Sequence, residues 1–183
     1  EITMYKECVC QWDQIEEHWD IFEQNGLNPR VISQVSTALN GPLAIVGCGR
    51  GLMLEHFVKS IEADEVWGFD TSANMVENAK QRGFANVVLV SPETPIPESL
   101  SFETIIISTG VLDVLHPSEI VALLTTLKKR LNAGGVLVVA AFAKQGEAFE
   151  FAQILGADCD LGISNQRIFQ LYREYLTVGD WQQ

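Results

Sequence analysis

Short apolar runs alternate with helix-like patterns along this chain, and that alternation limits the fold more than any other feature. Five runs have the length and composition of strands: residues 43–46, 65–69, 87–90, 104–108 and 136–142. Three of them are almost continuously apolar, as is typical of strands covered on both faces in a parallel sheet. The pattern predicts an α/β fold, a doubly wound and mostly parallel sheet with helices on both faces.

Apolar residues at helical spacing fill the intervals between these runs. They are Leu54, Phe57, Val58 and Ile61 after the first run, Ala73, Val76 and Ala79 after the second, and Ile120, Leu123, Leu124, Leu127 and Leu131 before the last. We expect the last helix to begin at Pro117, which suits a first turn, and to end at Gly134 and Gly135.

Both ends of the chain lie outside this repeating pattern. We expect two helices before the first strand, the first with an apolar face made of Trp12, Ile15, Trp19 and Phe22. Near the other end, residues 147–156 have a helical pattern, whereas residues 165–178 fit a helix or a long alternating strand equally well.

The length of 183 residues suits a single domain. We divide it into an N-terminal helical segment (1–40), a sheet-forming core (41–142) and a C-terminal segment (143–183), the last incomplete if the sequence is part of a longer chain. No apolar run approaches the roughly 20 residues that span a bilayer, and no leader-like segment opens the sequence. We therefore expect a cytoplasmic protein without a membrane partner.

Charge and cysteine content narrow the possible partners. The net charge of −12 leaves one basic run, residues 128–130, so nucleic acid is not an expected partner. The four cysteines include a C-x-C at Cys8 and Cys10, but no second pair completes a zinc site. We expect reduced thiols and no bound metal.

A glycine-rich turn, Gly47-Cys48-Gly49-Arg50-Gly51, follows the first predicted strand and leads into the first helix. Glycine lets the backbone approach a ligand closely and adopts positive φ at little cost. The turn is therefore a candidate nucleotide-binding loop, with an ordinary strand-to-helix turn as the alternative.

An acidic residue at the next strand end strengthens the nucleotide interpretation. Asp70 ends the run VWGFD, where a carboxylate can accept both hydroxyls of a ribose. Its alternative role is to cap the following helix, but Ser72 is an equally good cap. Both NAD and S-adenosylmethionine carry a ribose. The dinucleotide fingerprint places its third glycine where Leu52 stands, so an NAD-type oxidoreductase is the less favoured interpretation.

Four stretches in succession resemble the class I S-adenosylmethionine-dependent methyltransferases, of the type that acts on small molecules. They are LAIVGCGRG, VWGFDTSANMVENAKQRG, SFETIIISTGVLDVL and LLTTLKKRLNAGGVLVVAAF, and together they cover about residues 41–142. The resemblance implies a Rossmann-like fold, S-adenosylmethionine as cofactor and methyl transfer as the reaction.

Matching to the family's motifs also implies the cofactor contacts. These residues are Gly47, Cys48, Gly49, Gly51, Asp70, Thr71, Met75, Ser91, Pro92, Glu93, Ser108, Thr109, Gly110 and Leu112. The resemblance places the glycines under the methionine part, Asp70 at the ribose, and Thr71 and Met75 beside the adenine.

Two positions depart from the family pattern. Ser91 stands where relatives often carry an acid that meets the adenine amine, and Ile45 stands where relatives usually have Asp or Glu near the methionine ammonium. Serine still forms hydrogen bonds, whereas isoleucine does not. These departures keep a second hypothesis open, a non-catalytic module that binds the cofactor or a related nucleoside.

The methyl acceptor is predicted to be a small molecule. The segment after the fourth strand lacks the N/D-P-P-Y/F of amino-directed nucleic-acid methyltransferases, and no Pro-Cys supplies the nucleophile of cytosine enzymes. Asp113 and His116 follow that strand and are the catalytic candidates, with solvation and helix capping as their alternative roles.

The aromatic residues near the N-terminus have two interpretations. They pack the first helix on the sheet, or they form a helical lid in which Tyr5 or Trp12 borders the cofactor, because aromatic faces suit a sulfonium cation. Residues 165–178 are a candidate contact for a homodimer.

Overall fold

The structure is a computed structural model of the 183-residue chain. It describes residues 39–108, 111–112, 115, 117–142 and 150–156. The strands are β1 (Leu43–Val46), β2 (Val66–Asp70), β3 (Val87–Leu89), β4 (Phe102–Ile107), β5 (Leu131–Phe142) and β6 (Glu150–Gly156). The α-helices are α1 (Leu52–Phe57), α2 (Ala73–Gln81) and α3 (Pro117–Lys128), and a 3-10 turn spans Ala63–Glu65.

The six strands of the described residues form one sheet in the order β3-β2-β1-β4-β5-β6. Strands β1 to β5 are parallel, and β6 is antiparallel to β5. The predicted mostly parallel sheet is confirmed. Since β2 lies on one side of β1 and β4 on the other, the carboxyl end of β1 is the switch point at which such sheets bind ligands.

Apolar side chains are buried on both faces of this sheet. In β1, Leu43 and Ile45 belong to one cluster and Ala44 and Val46 to another, because alternate residues of a strand point to opposite faces. The first cluster includes Met53, Leu54 and Phe57 of α1 and Val76 and Ala79 of α2. The second includes Ile120, Leu123, Leu124 and Leu127 of α3. Helices therefore cover both faces, as predicted.

Helix α2 has a defined start and end. Ser72 is its N-cap and accepts a hydrogen bond from the Met75 N–H at 3.2 Å. At the other end, the N–H of Gly83 bonds to the carbonyl of Lys80 at 2.9 Å and that of Phe84 to Ala79 at 3.3 Å. This pairing is a Schellman motif, and the φ of +96° at Gly83 explains why glycine stands there.

The end of α3 differs from the prediction. The helix ends at Lys128, and Gly134 and Gly135 lie inside β5 rather than at a helix end. The Arg130 carbonyl accepts a hydrogen bond from the Phe102 N–H of β4 at 2.8 Å, so the chain is already pairing with the sheet there. Leu131 matches the helical spacing in the sequence but lies in β5, from which it packs against the same apolar cluster as α3.

An irregularity in β5 explains the two glycines. The pairing with β4 shifts between Phe102↔Leu131 and Thr104↔Val136, so extra residues of β5 bulge from the ladder. At Gly135, a Cβ atom would lie 2.9 Å from the Glu103 carbonyl oxygen. The strand prediction of 136–142 therefore started after the bulge, at the first regularly paired residue.

Strand β6 corrects a second prediction. Residues 147–156 were expected to be helical, but Glu150–Gly156 form a strand that pairs with β5 from Phe142↔Glu150 to Val136↔Gly156. Ala, Glu, Gln and Leu favour a helix by propensity, whereas the open edge of β5 offers a full ladder of backbone hydrogen bonds. Tertiary pairing outweighs the local preference, and within the described residues the outermost strand beside β5 is an antiparallel one that the sequence did not indicate.

The two predicted N-terminal helices and residues 165–178 lie outside the described residues, and the three-segment division of the domain remains a prediction. Within the described ranges, none of the helices combines the length and apolarity needed to cross a bilayer.

Candidate functional site

The glycine loop, residues 47–51, lies at the carboxyl end of the central strand β1. The N–H groups of Gly47 and Cys48 both bond to the Phe69 carbonyl of β2, at 2.8 and 3.2 Å. Gly47, Gly49 and Gly51 all have positive φ, at 76°, 53° and 98°. The loop is thus attached to the neighbouring strand at its start and then takes a course that L-residues rarely adopt.

Packing against protein side chains requires glycine at two of these positions. A Cβ atom at Gly51 would lie 2.6 Å from the ring of Phe84, and one at Gly47 would overlap Val111. The sequence suggested that the backbone is bare so that a ligand can approach. The structure adds that both positions are already closed by protein side chains.

Asp70 joins the glycine loop to the start of α2. Its Oδ2 accepts a hydrogen bond from the Gly49 N–H at 2.8 Å, and its Oδ1 accepts one from the Ser72 N–H at 2.9 Å. Ser72, and not Asp70, provides the side-chain cap of the helix. The carboxylate is half-buried, and a carboxylate has about four acceptor positions.

The thiol of Cys48 points away from this edge and into the core. It is buried among the apolar residues of α1 and β2, and a Cβ atom on Gly68 would lie 2.8 Å from its Sγ. Burial, with a smaller contribution from the charge of Asp70, raises the pKa of the Cys48 thiol well above its ordinary value. Because the Cys48 side chain is buried in the core, only its backbone is placed to contact a cofactor.

The loop after β3 supplies the next group of predicted contacts. Val90 donates its N–H to the Asp70 carbonyl at 2.9 Å, which brings Ser91 next to the end of β2. The Ser91 Oγ accepts a hydrogen bond from the Thr94 N–H at 3.3 Å. Pro92 and Glu93 line a cleft of about 190 Å³ whose other wall is formed by α3 and Leu115.

The remaining predicted contacts in the described residues differ in exposure. Thr71 is half-buried beside Asp70, while Met75 is 2 % exposed on α2. Ser108 follows β4, is 5 % exposed and donates its N–H to the Val46 carbonyl at 3.0 Å. Leu112 is buried in the apolar cluster on the α3 side.

Six predicted site residues fall outside the described residues. They are Tyr5, Trp12, Thr109, Gly110, Asp113 and His116. The lid, the catalytic candidates and part of the methionine end of the site therefore remain predictions. Among the described residues, no group of three or more His, Cys, Asp or Glu could hold a metal ion.

Both departures from the family pattern have a defined place in the fold. Ile45 is fully buried in the apolar cluster that includes α1, and its side chain has no polar group to offer a ligand. Ser91 is exposed and sits in a tight bridge with Thr94. The hydroxyl of Ser91 remains able to form hydrogen bonds at the site edge.

Two contacts on the loop were not anticipated from the sequence. Arg82 and Phe84, at the end of α2, contact Arg50 and Gly51 of the loop. The sequence contains one indication of them, because Arg82-Gly83-Phe84 follow the last residue of α2 as a typical helix stop. The stop indicates where the helix ends, but not which loop lies against it.

The chain belongs to a methyltransferase family. Residues 44–135 match the family model described as "Methyltransferase domain", which confirms the resemblance to class I S-adenosylmethionine-dependent methyltransferases. A search of the curated proteins found no match.

Solved structures with the same fold include methyltransferases and cofactor complexes. The S-adenosylmethionine-bound amino pentose methyltransferase CalS10 from Micromonospora echinaspora is 23 % identical, with 66 % of this chain and 50 % of that chain covered and a TM-score of 0.53. The S-adenosylhomocysteine complex of DhpI is 13 % identical, with 93 % and 88 % covered and a TM-score of 0.66.

A third neighbour is phosphoethanolamine N-methyltransferase 1 from Haemonchus contortus, 14 % identical, with 78 % of this chain and 33 % of that chain covered and a TM-score of 0.63. The chain spans about half the length of the first two neighbours found. These neighbours show that the chain shares its fold with solved methyltransferases.

Proposed function

We propose that this chain transfers a methyl group from S-adenosylmethionine to a small-molecule acceptor. The observation that carries the proposal is the position of Asp70 at the end of β2, beside the switch point of the sheet. Its carboxylate holds Gly49 at 2.8 Å, so the acid expected at the ribose and the loop expected under the methionine part form one unit. Family membership over residues 44–135 supports the same reaction.

The described residues fit the cofactor in their chemistry. The half-buried Asp70 carboxylate suits the two ribose hydroxyls, and Ser91 and Glu93 follow the adjacent strand with polar side chains. The cofactor supplies an activated methyl group, so the protein mainly has to bind and align donor and acceptor. Asp70, the glycine loop and the residues after β3 would do the binding.

We further propose that the acceptor atom is an amine nitrogen. Two neighbours are named for acceptors that carry an amino group, an amino pentose and phosphoethanolamine, and the second is named an N-methyltransferase. The net charge of −12 also favours the approach of cationic molecules over anionic ones. Asp113 or His116 would remove the proton that a protonated amine must lose before it attacks.

Calorimetric titration tests the cofactor part of the proposal. We expect S-adenosylmethionine and S-adenosylhomocysteine to bind and NAD not to bind. Asp70→Asn should weaken binding at least about tenfold, because losing the charged partner of a hydrogen bond costs about 1.5–3 kcal/mol. Asp64→Asn is the matched control, since it removes the same charge from an exposed acid in the 3-10 turn before β2.

A labelled-methyl assay tests the acceptor part. Primary and secondary amines, among them amino sugars and phosphoethanolamine, are compared with matched alcohols, and the methylated product is identified by mass spectrometry. Transfer to alcohols alone would contradict the amine proposal. Tight cofactor binding without transfer to any acceptor would favour the binding module, which is the hypothesis that the buried Ile45 supports.

A further inference from the structure

Arg82, directly after α2, contacts both the glycine loop and the helix that follows the loop. Arg82 donates from Nη1 to the Arg50 carbonyl oxygen at 2.9 Å and from Nη2 to Oε2 of Glu55 at 2.8 Å. Arg50 belongs to the loop, and Glu55 belongs to α1, the helix that the loop enters. One side chain therefore bridges the loop and the helix that follows it.

Arginine is suited to this bridge by its shape. The guanidinium is planar and presents donors in a rigid fork, so two of them can serve two separate acceptors at once. The backbone of Arg82 is itself held in place, because its N–H bonds to the Asn78 carbonyl at 3.1 Å and Gly83 closes the Schellman motif next to it. The Arg82 guanidinium thus extends from a backbone that is held in place by hydrogen bonds.

The two bonds of Arg82 differ in what they contribute. Its side chain is 38 % exposed and that of Glu55 is 50 % exposed, so the ion pair between them is screened by water and adds little stability. The bond to the Arg50 carbonyl is different, since it fixes the orientation of the Arg50–Gly51 peptide. Asp70 holds the Cys48–Gly49 peptide of the same loop, so the two contacts fix the loop at two separate peptides.

We propose that Arg82 is a positioning residue for the cofactor, which keeps the glycine loop in its binding conformation without touching the ligand. Asp70 holds the loop through Gly49, and Arg82 holds it through the next residue. The Phe84 ring, closing on Gly51, completes the contact with the end of α2. This inference rests on the proposed function, because it assigns a role in binding S-adenosylmethionine.

Hydrogen exchange of the protein without cofactor tests the positioning directly. In Arg82→Ala, the amides of Gly49 and Gly51 should exchange about fivefold faster than in wild type, the change expected when about one hydrogen bond's worth of local stability is lost. The amide of Ile106 in the central strand β4 should not change. Glu55→Gln should leave the loop amides nearly unaffected, since it weakens only the screened ion pair.

Binding and kinetics give the second readout. Arg82→Ala should raise the dissociation constant of S-adenosylmethionine about fivefold while kcat at saturating cofactor stays the same, and Arg82→Lys should recover part of the affinity. Arg130→Ala is the matched control. Its side chain bonds to the Glu98 carbonyl at 3.4 Å and lies 3.5 Å from that residue's carboxylate, at the amino ends of β4 and β5, away from the loop.

The outcomes separate this inference from the proposed function. If wild type does not bind S-adenosylmethionine, the proposed function fails, while faster exchange in Arg82→Ala would still establish the loop contact. If wild type binds and Arg82→Ala changes neither loop exchange nor affinity, the positioning role is wrong. Equal losses of affinity in Arg82→Ala and Arg130→Ala would also overturn it, by showing a general loss of stability.

Discussion

Two glycines offer a sharp test of what the glycine loop requires from the fold. Gly51 and Gly83 have nearly the same φ, 98° and 96°. A Cβ atom at Gly51 would lie 2.6 Å from Cε2 of Phe84, whereas at Gly83 nothing lies within 4 Å. Substituting each by alanine therefore separates the conformational cost of a left-handed residue from the cost of steric overlap.

The expected magnitudes follow from these surroundings. Gly83→Ala should lose about 1–2 kcal/mol of unfolding free energy, the cost of placing an L-residue in the left-handed region. Gly51→Ala bears the same cost plus about 1–3 kcal/mol for displacing the Phe84 ring, which is packed against the apolar cluster that includes α1. The gain from a stiffer unfolded chain is the same in both variants and cancels in the comparison.

Urea unfolding followed by tryptophan fluorescence measures both losses. We expect Gly51→Ala to be at least about 1 kcal/mol less stable than Gly83→Ala. Adding Phe84→Leu to Gly51→Ala should recover part of the difference and should recover nothing in the Gly83→Ala background. Equal losses in the two single variants would refute the reasoning, because they would show that Phe84 does not close the loop.

Two further predictions concern the core beneath the loop. Gly68→Ala should destabilise the protein by about 1–3 kcal/mol, since its Cβ would lie 2.8 Å from the Cys48 Sγ. Cys48→Ala in the same chain should relieve part of this loss, as a double-mutant unfolding cycle will measure. Full additivity of the two losses would contradict the contact. The raised pKa of the Cys48 thiol means that only the unfolded chain releases this proton as the pH rises above the ordinary thiol value. Stability should therefore fall more between neutral and alkaline pH in wild type than in Cys48→Ala, as urea midpoints will show, and parallel curves would argue against the buried thiol.

The parts of the fold that could be predicted are those that local sequence encodes. Strands β1, β2 and β4 are short buried runs bounded by helix patterns, and their periodicity identified them within a residue or two. The candidate site followed from the same information, because the carboxyl ends of parallel strands meet at one edge. Asp70 and the glycine loop are indeed joined there by a hydrogen bond of 2.8 Å.

The errors fell where long-range pairing outweighs local preference. Residues 150–156 have helical propensity but form β6, because the edge of β5 provides backbone partners that the segment cannot find alone. Gly134 and Gly135 resemble a helix stop but belong to a bulge in β5. In both cases the deciding partner lies in another strand, which no local window includes.

The sequence by itself determined the alternation of strands and helices, the glycine loop and the acid at the end of β2, because each depends on residues close together in the chain. Only the tertiary structure decided what holds that loop. Arg82 and Phe84, on either side of the turn residue Gly83, contact Arg50 and Gly51 of the loop. Such contacts depend on the path of the folded chain in space, and a sequence pattern records only the order of residues along it.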